Sequence, residues 1–167
     1  MRLGEDFYQQ DVLVVAPALV GKLICRAIEG RVQQFRITEV EAYGGPDDTA
    51  SHAHAGRTRR AEVMWLAGGH AYVYLCYGIH HLLNVVTGPE GSAQAALIRG
   101  VDGHPGPGRA SRAMSITLED NRTDLTTSQH LWLDDDGYAP TLLARPRIGI
   151  AYAAVDDQNK LLRFTAA

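Results

Sequence analysis

The sequence predicts an α+β fold in which most strands are antiparallel. Residues 32–43 alternate polar and apolar side chains, as a half-buried strand does. Residues 70–86 are rich in aromatic and β-branched side chains on both sides of Tyr77-Gly78, which is typical of two strands joined by a tight turn. Connections this short require neighbouring strands to run antiparallel.

The other elements follow in order along the chain. Pro17 suits the first turn of a helix that begins near Ala18, and residues 22–28 then read as a strand. Residues 95–99 form an apolar strand that ends on Arg99. The remaining expectations are short helices at 58–66 and 109–116 and strands at 131–133, 147–153 and 161–164.

Length and composition indicate one compact domain spanning residues 1–167. The chain is 46% hydrophobic and 21% charged, which suffices for a core and argues against disorder. No segment is long and apolar enough to cross a membrane. Cys25 and Cys76 are too few for a disulfide framework or a cysteine-rich zinc site, so we expect an intracellular protein, cytoplasmic or nucleoid-associated in a bacterium. A monomer is the default expectation for such a domain.

The net charge of −3 does not by itself indicate a nucleic-acid partner. Basic residues are nevertheless concentrated between His52 and Arg60. A solvated basic loop and a phosphate-binding patch both account for this cluster.

The stretch Thr38–His52, TEVEAYGGPDDTASH, carries the densest chemistry. Glu39, Glu41 and Tyr43 project from one face of the predicted strand, which runs into a Gly/Pro turn. Together with His52, these groups could activate a water molecule and hold an aromatic substrate. An acidic sheet edge followed by an ordinary turn remains the alternative, and strand geometry alone does not separate the two glutamates.

Several reaction classes lack their sequence signals. The chain has no G-x-S-x-G elbow, no P-loop and no G-x-G-x-x-G, and the zinc-deaminase pattern is also missing. His52 and His54 could chelate a metal, but no third ligand is matched to them, so neither a metal nor another cofactor is expected.

Four motifs occur in order and with consistent spacing: EAYGGPDDTASHA at 41–53, GRT at 56–58, GHAYVYLCYGIHHLLNVVT at 69–87 and AALIR at 95–99. Together with GEDFY near the start and PRIGIAYA and LRF near the end, they closely resemble the alkyladenine (3-methyladenine) DNA glycosylase family. The resemblance implies a curved antiparallel sheet with flanking helices and a protruding β-hairpin that inserts into DNA. It also implies flipping of alkylated or deaminated purines out of duplex DNA, followed by hydrolysis of the N-glycosidic bond.

The resemblance assigns roles to particular residues. Glu41 matches the general base, which separates it from Glu39, and Arg99 matches an arginine beside the catalytic water. Tyr77, next to Gly78, matches the residue that intercalates into the duplex; a tyrosine packed at a hairpin end is the structural alternative. The substrate-binding set is Tyr43, His52 and Tyr74 for stacking, Asn84 for limiting which purines enter and Leu97 for the pocket wall. The expected phosphate contacts are Arg57, Thr58 and Arg60.

Some features depart from the family pattern, and two other hypotheses remain. Arg59 replaces a common proline, residues 110–112 are altered, and the connection between Arg99 and Gly106 is short, so the lesion range could differ. A non-catalytic binder of damaged DNA would keep the pocket and the wedge without releasing bases. A metal-dependent hydrolase would use His52 and His54.

Overall fold

The computed structural model describes residues 1–167 and confirms the predicted α+β class. The strands are β1 (Leu23–Ile28), β2 (Arg31–Tyr43), β3 (Ala71–Cys76), β4 (His80–Thr87), β5 (Gln94–Val101), β6 (His104–Pro105), β7 (Leu131–Asp134), β8 (Leu142–Arg145) and β9 (Arg163–Ala166). The helices are α1 (Glu5–Tyr8), α2 (Val12–Leu19), α3 (Pro107–Ala113) and α4 (Val155–Asn159), with three short 3-10 helices at His52–Ala55, Glu62–Trp65 and Leu118–Asp120. None of the helices is both long and apolar enough to cross a membrane.

The long strand β2 organises the sheet. Its first half pairs with β1 and its second half pairs with β5 on one side and β9 on the other, all antiparallel. The main strand order is β3-β4-β5-β2-β1-β7. The pairing with β5 shifts register between Ile37 and Val40, and such bulges bend a strand and increase its twist. The sheet is therefore curved.

The alternation of side chains gives the sheet two faces with different tasks. Val40, Ile98, Val85 and Val73 project from four adjacent strands into the main hydrophobic core. Helices α2 and α3 pack on this face. Their intervening neighbours, including Glu41, project from the opposite face. The core and the polar site are thus separated by the period-two geometry of the strands.

Helix α2 begins earlier than the sequence prediction placed it. Asp11 is its N-cap, and the Asp11 carboxylate accepts a hydrogen bond from the Leu13 N–H at 2.8 Å. Pro17 lies in the last turn rather than the first. The helix ends at Leu19, two residues beyond the proline, and the chain leaves in an extended conformation at Val20.

Two other predicted elements differ in the structure. Residues 147–153 form turns rather than a strand, and the strand lies earlier, at β8. Pro146 lacks an N–H, Gly149 has a φ of +75°, and the Ile148 N–H donates to the Glu41 side chain rather than to a neighbouring strand. The helix predicted at 58–66 is only one 3-10 turn, Glu62–Trp65.

We expect the buried ion pair between Arg26 and Asp120 to contribute strongly to stability. The guanidinium donates to both Asp120 oxygens, at 2.7 and 2.9 Å, with both side chains almost fully buried. Asp120→Ala leaves the guanidinium buried and unpaired, so the free energy of unfolding should fall by about 3–5 kcal/mol in urea denaturation.

The matched control is Asp136→Ala, which removes the partner of the partly exposed Arg36. The free energy of unfolding should fall far less in this variant than in Asp120→Ala, because water screens the exposed Arg36–Asp136 pair. Equal losses in the two variants would contradict the assigned role of Asp120.

Candidate active site

The centre of the site is a row of directly paired residues that crosses four strands. Glu41 on β2 lies opposite Leu97 on β5, Leu97 lies opposite Asn84 on β4, and Asn84 lies opposite Tyr72 on β3. On the other side, Glu41 lies opposite Arg163 on β9. Directly paired residues project from the same face of a sheet, so this row brings together residues that are distant in sequence.

Glu41 is a fully buried carboxylate with a partner on each oxygen. Oε1 accepts a hydrogen bond from the Tyr43 hydroxyl at 2.9 Å, and Oε2 accepts one from the Ile148 N–H at 2.7 Å. Burial raises the pKa of Glu41 above its ordinary value, while Arg99 and the two hydrogen bonds oppose that rise. The result is a carboxylate held in place with an elevated basicity.

Arg99 lies between the two glutamates of β2. Its Nη1 is 3.6 Å from Glu41 Oε1, and its Nε is 3.5 Å from Glu39 Oε1. Arg163 holds Glu39 through a 3.0 Å contact from Nη1 to Oε1. Glu39 is partly exposed whereas Glu41 is not, so the structure distinguishes the two carboxylates that strand alternation left equivalent.

A pocket of about 330 Å³, including its open mouth, lies on the same face of the sheet. Four of the predicted substrate-binding residues line it. The complete lining is Tyr43, Ala50, Ser51, His52, Met64, Tyr72, Tyr74, Asn84, Ala95 and Tyr152.

Three aromatic rings form one wall of this pocket. The rings of His52 and Tyr74 are 4.5 Å apart at 66°, and those of Tyr72 and Tyr74 are 5.4 Å apart. His52 Nδ1 lies 2.9 Å from the Tyr72 hydroxyl. Tyr72 therefore lines the pocket together with the two predicted stacking residues His52 and Tyr74. Burial, with a smaller effect from Arg60, lowers the pKa of His52 to about 4, so the ring is neutral near pH 7.

Tyr43 connects the pocket to Glu41. Its ring lines the cavity and its hydroxyl donates to the carboxylate. The buried Arg147 guanidinium lies 4.9 Å from the centre of that ring and donates to both Asp48 oxygens, at 2.6 and 3.0 Å. The Asp48–Arg147 pair thus ties the turn after β2 to the segment that supplies Ile148.

Asn84 reaches the pocket surface, whereas Leu97 is buried behind it. The Asn84 side chain lines the pocket and donates from Nδ2 to the Tyr72 carbonyl at 3.1 Å. Leu97 is buried between Glu41 and Asn84 in the row of paired residues and does not line the cavity. It supports the site from within the sheet.

Tyr77 stands at the tip of the β3–β4 hairpin and is 93% exposed. Tyr77 and Gly78 both have positive φ, 51° and 67°, and the turn is closed by a 3.1 Å bond from the Ile79 N–H to the Cys76 carbonyl. Asn-Gly is favoured in turns of this kind, and a tyrosine in the left-handed region costs roughly 1–2 kcal/mol. An exposed aromatic ring in a strained position indicates a function rather than a contribution to stability.

The basic loop lies beside the pocket. Arg57, Thr58 and Arg60 are exposed, and the Arg60 guanidinium lies 5.9 Å from the centre of the Tyr74 ring. Thr58 Oγ1 accepts a hydrogen bond from the Ala61 N–H at 3.2 Å, so this side chain also stabilises the following turn. Arg57 and Arg60 thus add exposed positive charge to the loop, with Arg60 next to the pocket.

The two histidines of the metal hypothesis have separate protein partners. His52 Nδ1 contacts the Tyr72 hydroxyl, and His54 Nδ1 contacts the Pro46 carbonyl at 2.7 Å. No group of three or more His, Cys, Asp or Glu side chains is arranged to hold a metal ion.

The sequence analysis gave no role at the site to Arg147, Ile148, Tyr152 or Met64. The first three fell in the strand predicted at 147–153, and Met64 fell in the helix predicted at 58–66 and lies in the Glu62–Trp65 3-10 helix. Tyr152 lines the pocket and donates to the Ala50 carbonyl at 2.6 Å. No local sequence pattern marks these residues, because each joins the site through a contact with a segment distant in sequence.

A curved antiparallel sheet with a buried glutamate below an aromatic pocket, and an exposed aromatic residue on an adjacent hairpin, is the arrangement expected of a base-flipping DNA glycosylase. Comparison with known families agrees. The methylpurine-DNA glycosylase family model matches residues 6–104 and 102–167, and the chain belongs to this family.

Bacterial relatives match over nearly the whole chain. One from Psychrobacter cryohalolentis is 38% identical and covers 95% of this chain and 89% of its own length. One from Anaeromyxobacter dehalogenans is 44% identical, covering 92% and 77%. One from Sodalis glossinidius is 41% identical, covering 97% and 95%. All three are provisionally named 3-methyladenine DNA glycosylase.

We expect His52 to make the free energy of unfolding fall as the pH is lowered from about 6.5 to about 4. In this range the unfolded chain binds a proton at His52 and the folded protein does not, so protonation favours unfolding. His52→Gln should flatten this dependence in urea denaturation followed across the same range.

His54→Gln is the control, because His54 lies in the same 3-10 turn with an exposed side chain. It should keep the wild-type dependence. An unchanged slope in His52→Gln would show that the buried imidazole is not the source.

Proposed function

We propose that the protein is a monofunctional purine DNA glycosylase of base-excision repair, which removes alkylated or deaminated purines from duplex DNA and leaves an abasic site. The observation that carries the proposal is Glu41, a fully buried carboxylate directly behind a pocket wall that can stack on a nucleobase. Membership of the methylpurine-DNA glycosylase family and the names of the relatives support the same activity.

A damaged base is stacked inside the duplex, so the nucleotide must leave the helix before it can react. Tyr77 is suited to fill the space that the nucleotide leaves, because its ring projects from a narrow hairpin and can stack on the neighbouring bases. Arg57, Thr58 and Arg60 would contact phosphates, which contributes to affinity and positioning rather than to base choice.

The pocket would select the extruded base by stacking and by exclusion. Tyr43, His52 and Tyr74 offer ring faces, and electron-poor alkylated purines stack favourably on electron-rich rings. Because His52 is neutral near pH 7, it does not repel a cationic base. The buried Asn84 would oppose purines whose exocyclic groups collide with it.

Hydrolysis would use one water molecule and Glu41. The water oxygen bonds to C1′ of the deoxyribose while the C1′–N bond breaks, and the bonding electron pair leaves with the purine. Glu41 takes the proton from the water and stabilises the positive charge that develops on the sugar. Arg99, 3.6 Å from Glu41, would orient the water. A purine that carries a methyl-induced positive charge leaves as a neutral base and needs no proton.

The partner is double-stranded DNA that contains a damaged purine. A water nucleophile forms no covalent enzyme–DNA intermediate, so the strand should remain intact until the abasic site is cleaved by alkali. We further propose a monomer that acts inside the cell, as one chain supplies both the aromatic pocket and the adjacent hairpin.

We expect Glu41→Gln to lose base release by about a hundredfold to ten-thousandfold, the usual contribution of a general base. The assay is single-turnover release of 3-methyladenine from dimethyl-sulfate-treated duplex DNA. Glu39→Gln is the matched control on the same strand, and its loss should stay below about tenfold because Glu39 pairs with Arg99 and Arg163 and is not the proposed base.

The same measurements test the alternatives. Full activity in Glu41→Gln would reject the mechanism. Lesion-specific binding by the wild-type protein without release of any base would favour the non-catalytic binder. Loss of activity on treatment with a chelator would favour a metal-dependent hydrolase.

We expect Tyr77→Asn to separate stability from function. Asparagine adopts the left-handed conformation more readily, so the free energy of unfolding should stay equal or rise by up to about 1 kcal/mol. Affinity for a duplex with one damaged purine should fall, because the wedge ring is lost. Tyr138→Asn, at an exposed tyrosine outside the pocket and hairpin, is the control, and equal affinity in both variants would reject the wedge role.

A further inference from the structure

We propose that Tyr43 is a positioning residue for the general base as well as a wall of the base pocket, so that one side chain couples recognition of the flipped base to activation of water. The inference deepens the proposed function and rests on Glu41 being the general base. It concerns the Tyr43 hydroxyl, whereas the stacking role concerns only its ring.

The hydroxyl is directed at the carboxylate and not at the cavity. Its 2.9 Å bond to Glu41 Oε1 joins two side chains that are two residues apart on β2. Glu41 has no contact with solvent, so this bond meets no competition from bulk water. Burial, reinforced by the Glu41 charge, raises the pKa of Tyr43 far above its ordinary value, so the phenol keeps its proton and acts as the donor.

The ring is held from a side that the base does not use. Arg147 covers the Tyr43 ring at 4.9 Å and does not line the pocket. Arg147 is itself fixed, because it donates to both Asp48 oxygens and to the Ala42 carbonyl at 3.1 Å. A base stacked on the free part of the ring would complete a sandwich, and the hydroxyl would then hold Oε1 in one orientation while the water reacts.

A carboxylate oxygen accepts about two hydrogen bonds, so a bond from Tyr43 leaves Oε1 able to accept one from water. The hydroxyl donates to the ionised form of Glu41 and therefore opposes the rise in pKa that burial causes. The other charged or titratable groups around this carboxylate are Arg99 on β5, Glu39 on β2, Arg163 on β9, and Arg147 and Tyr152 in the segment after β8. Removal of the hydroxyl alone leaves all five in place.

The test is Tyr43→Phe, which keeps the ring and removes the donor. Single-turnover release of 3-methyladenine from dimethyl-sulfate-treated duplex DNA is measured as a function of pH. This cationic base leaves without protonation, so the fall in rate at low pH (the acid limb of the profile) reports the protonation of Glu41. With the donor lost, the pKa of Glu41 rises, and the acid limb should move to higher pH by about one unit. Affinity for the damaged duplex should be retained. A limb that stays in place or moves to lower pH overturns the inference.

The matched control is Tyr74→Phe, which removes a phenol from the same pocket without touching Glu41. Whatever its effect on rate, its acid limb should coincide with that of the wild type. An equal displacement in Tyr74→Phe would mean that any pocket hydroxyl shifts the limb and would overturn the inference.

A second variant covers the case in which Tyr43→Phe does not fold. Site-specific incorporation of 3-fluorotyrosine at position 43 makes the phenol a stronger donor, and the acid limb should move to lower pH; no movement overturns the inference. Failure of the proposed function looks different: wild-type protein that releases no base, or Glu41→Gln that remains active, rejects the glycosylase or its general base. With both of those intact, an unmoved limb rejects the coupling alone.

Discussion

Burial of the Glu41 carboxylate is the constraint on which the rest of the site depends. A charge removed from water is costly unless hydrogen bonds and an opposite charge compensate for it. Here the compensation comes from the Tyr43 hydroxyl, the Ile148 N–H and the Arg99 guanidinium. These groups come from β2, from the turns after β8 and from β5. The carboxylate is stable only where the three segments meet, which is also where the pocket forms.

The two faces of the sheet divide stability from chemistry. One face packs apolar side chains such as Val40 and Ile98 under α2 and α3 and supplies most of the core. The opposite face can therefore tolerate groups that do not favour folding, including a buried carboxylate and a neutral imidazole. The hairpin next to it carries Tyr77 in a conformation that a more stable turn would avoid. Strain and burial of polar groups at a site are typical where a surrounding scaffold is rigid.

The Asp48–Arg147 pair explains how a turn and a distant segment take part in one site. Two hydrogen bonds join the loop that follows Tyr43 to the residue that precedes Ile148. The Gly44–Asp48 turn thus has a role in the site besides connecting β2 to His52. It places a carboxylate that fixes the guanidinium behind the Tyr43 ring. The irregular backbone at residues 147–153 fits this role, because the Ile148 N–H donates to Glu41 instead of to a β-ladder.

Local pattern was enough to predict β2, the β3–β4 hairpin and the α+β class, because strand alternation and turn residues are properties of short segments. The family resemblance carried by the motifs singled out Glu41, Tyr43, His52 and Tyr74 as candidate site residues. The alternation of side chains along a strand predicts which face of the sheet a residue is on, but not how deeply it is buried. Only the packed structure shows that Glu41 is buried and Glu39 partly exposed. The roles of Arg147, Ile148 and Tyr152 likewise emerge only in the fold, since each depends on a contact with a residue about a hundred positions away.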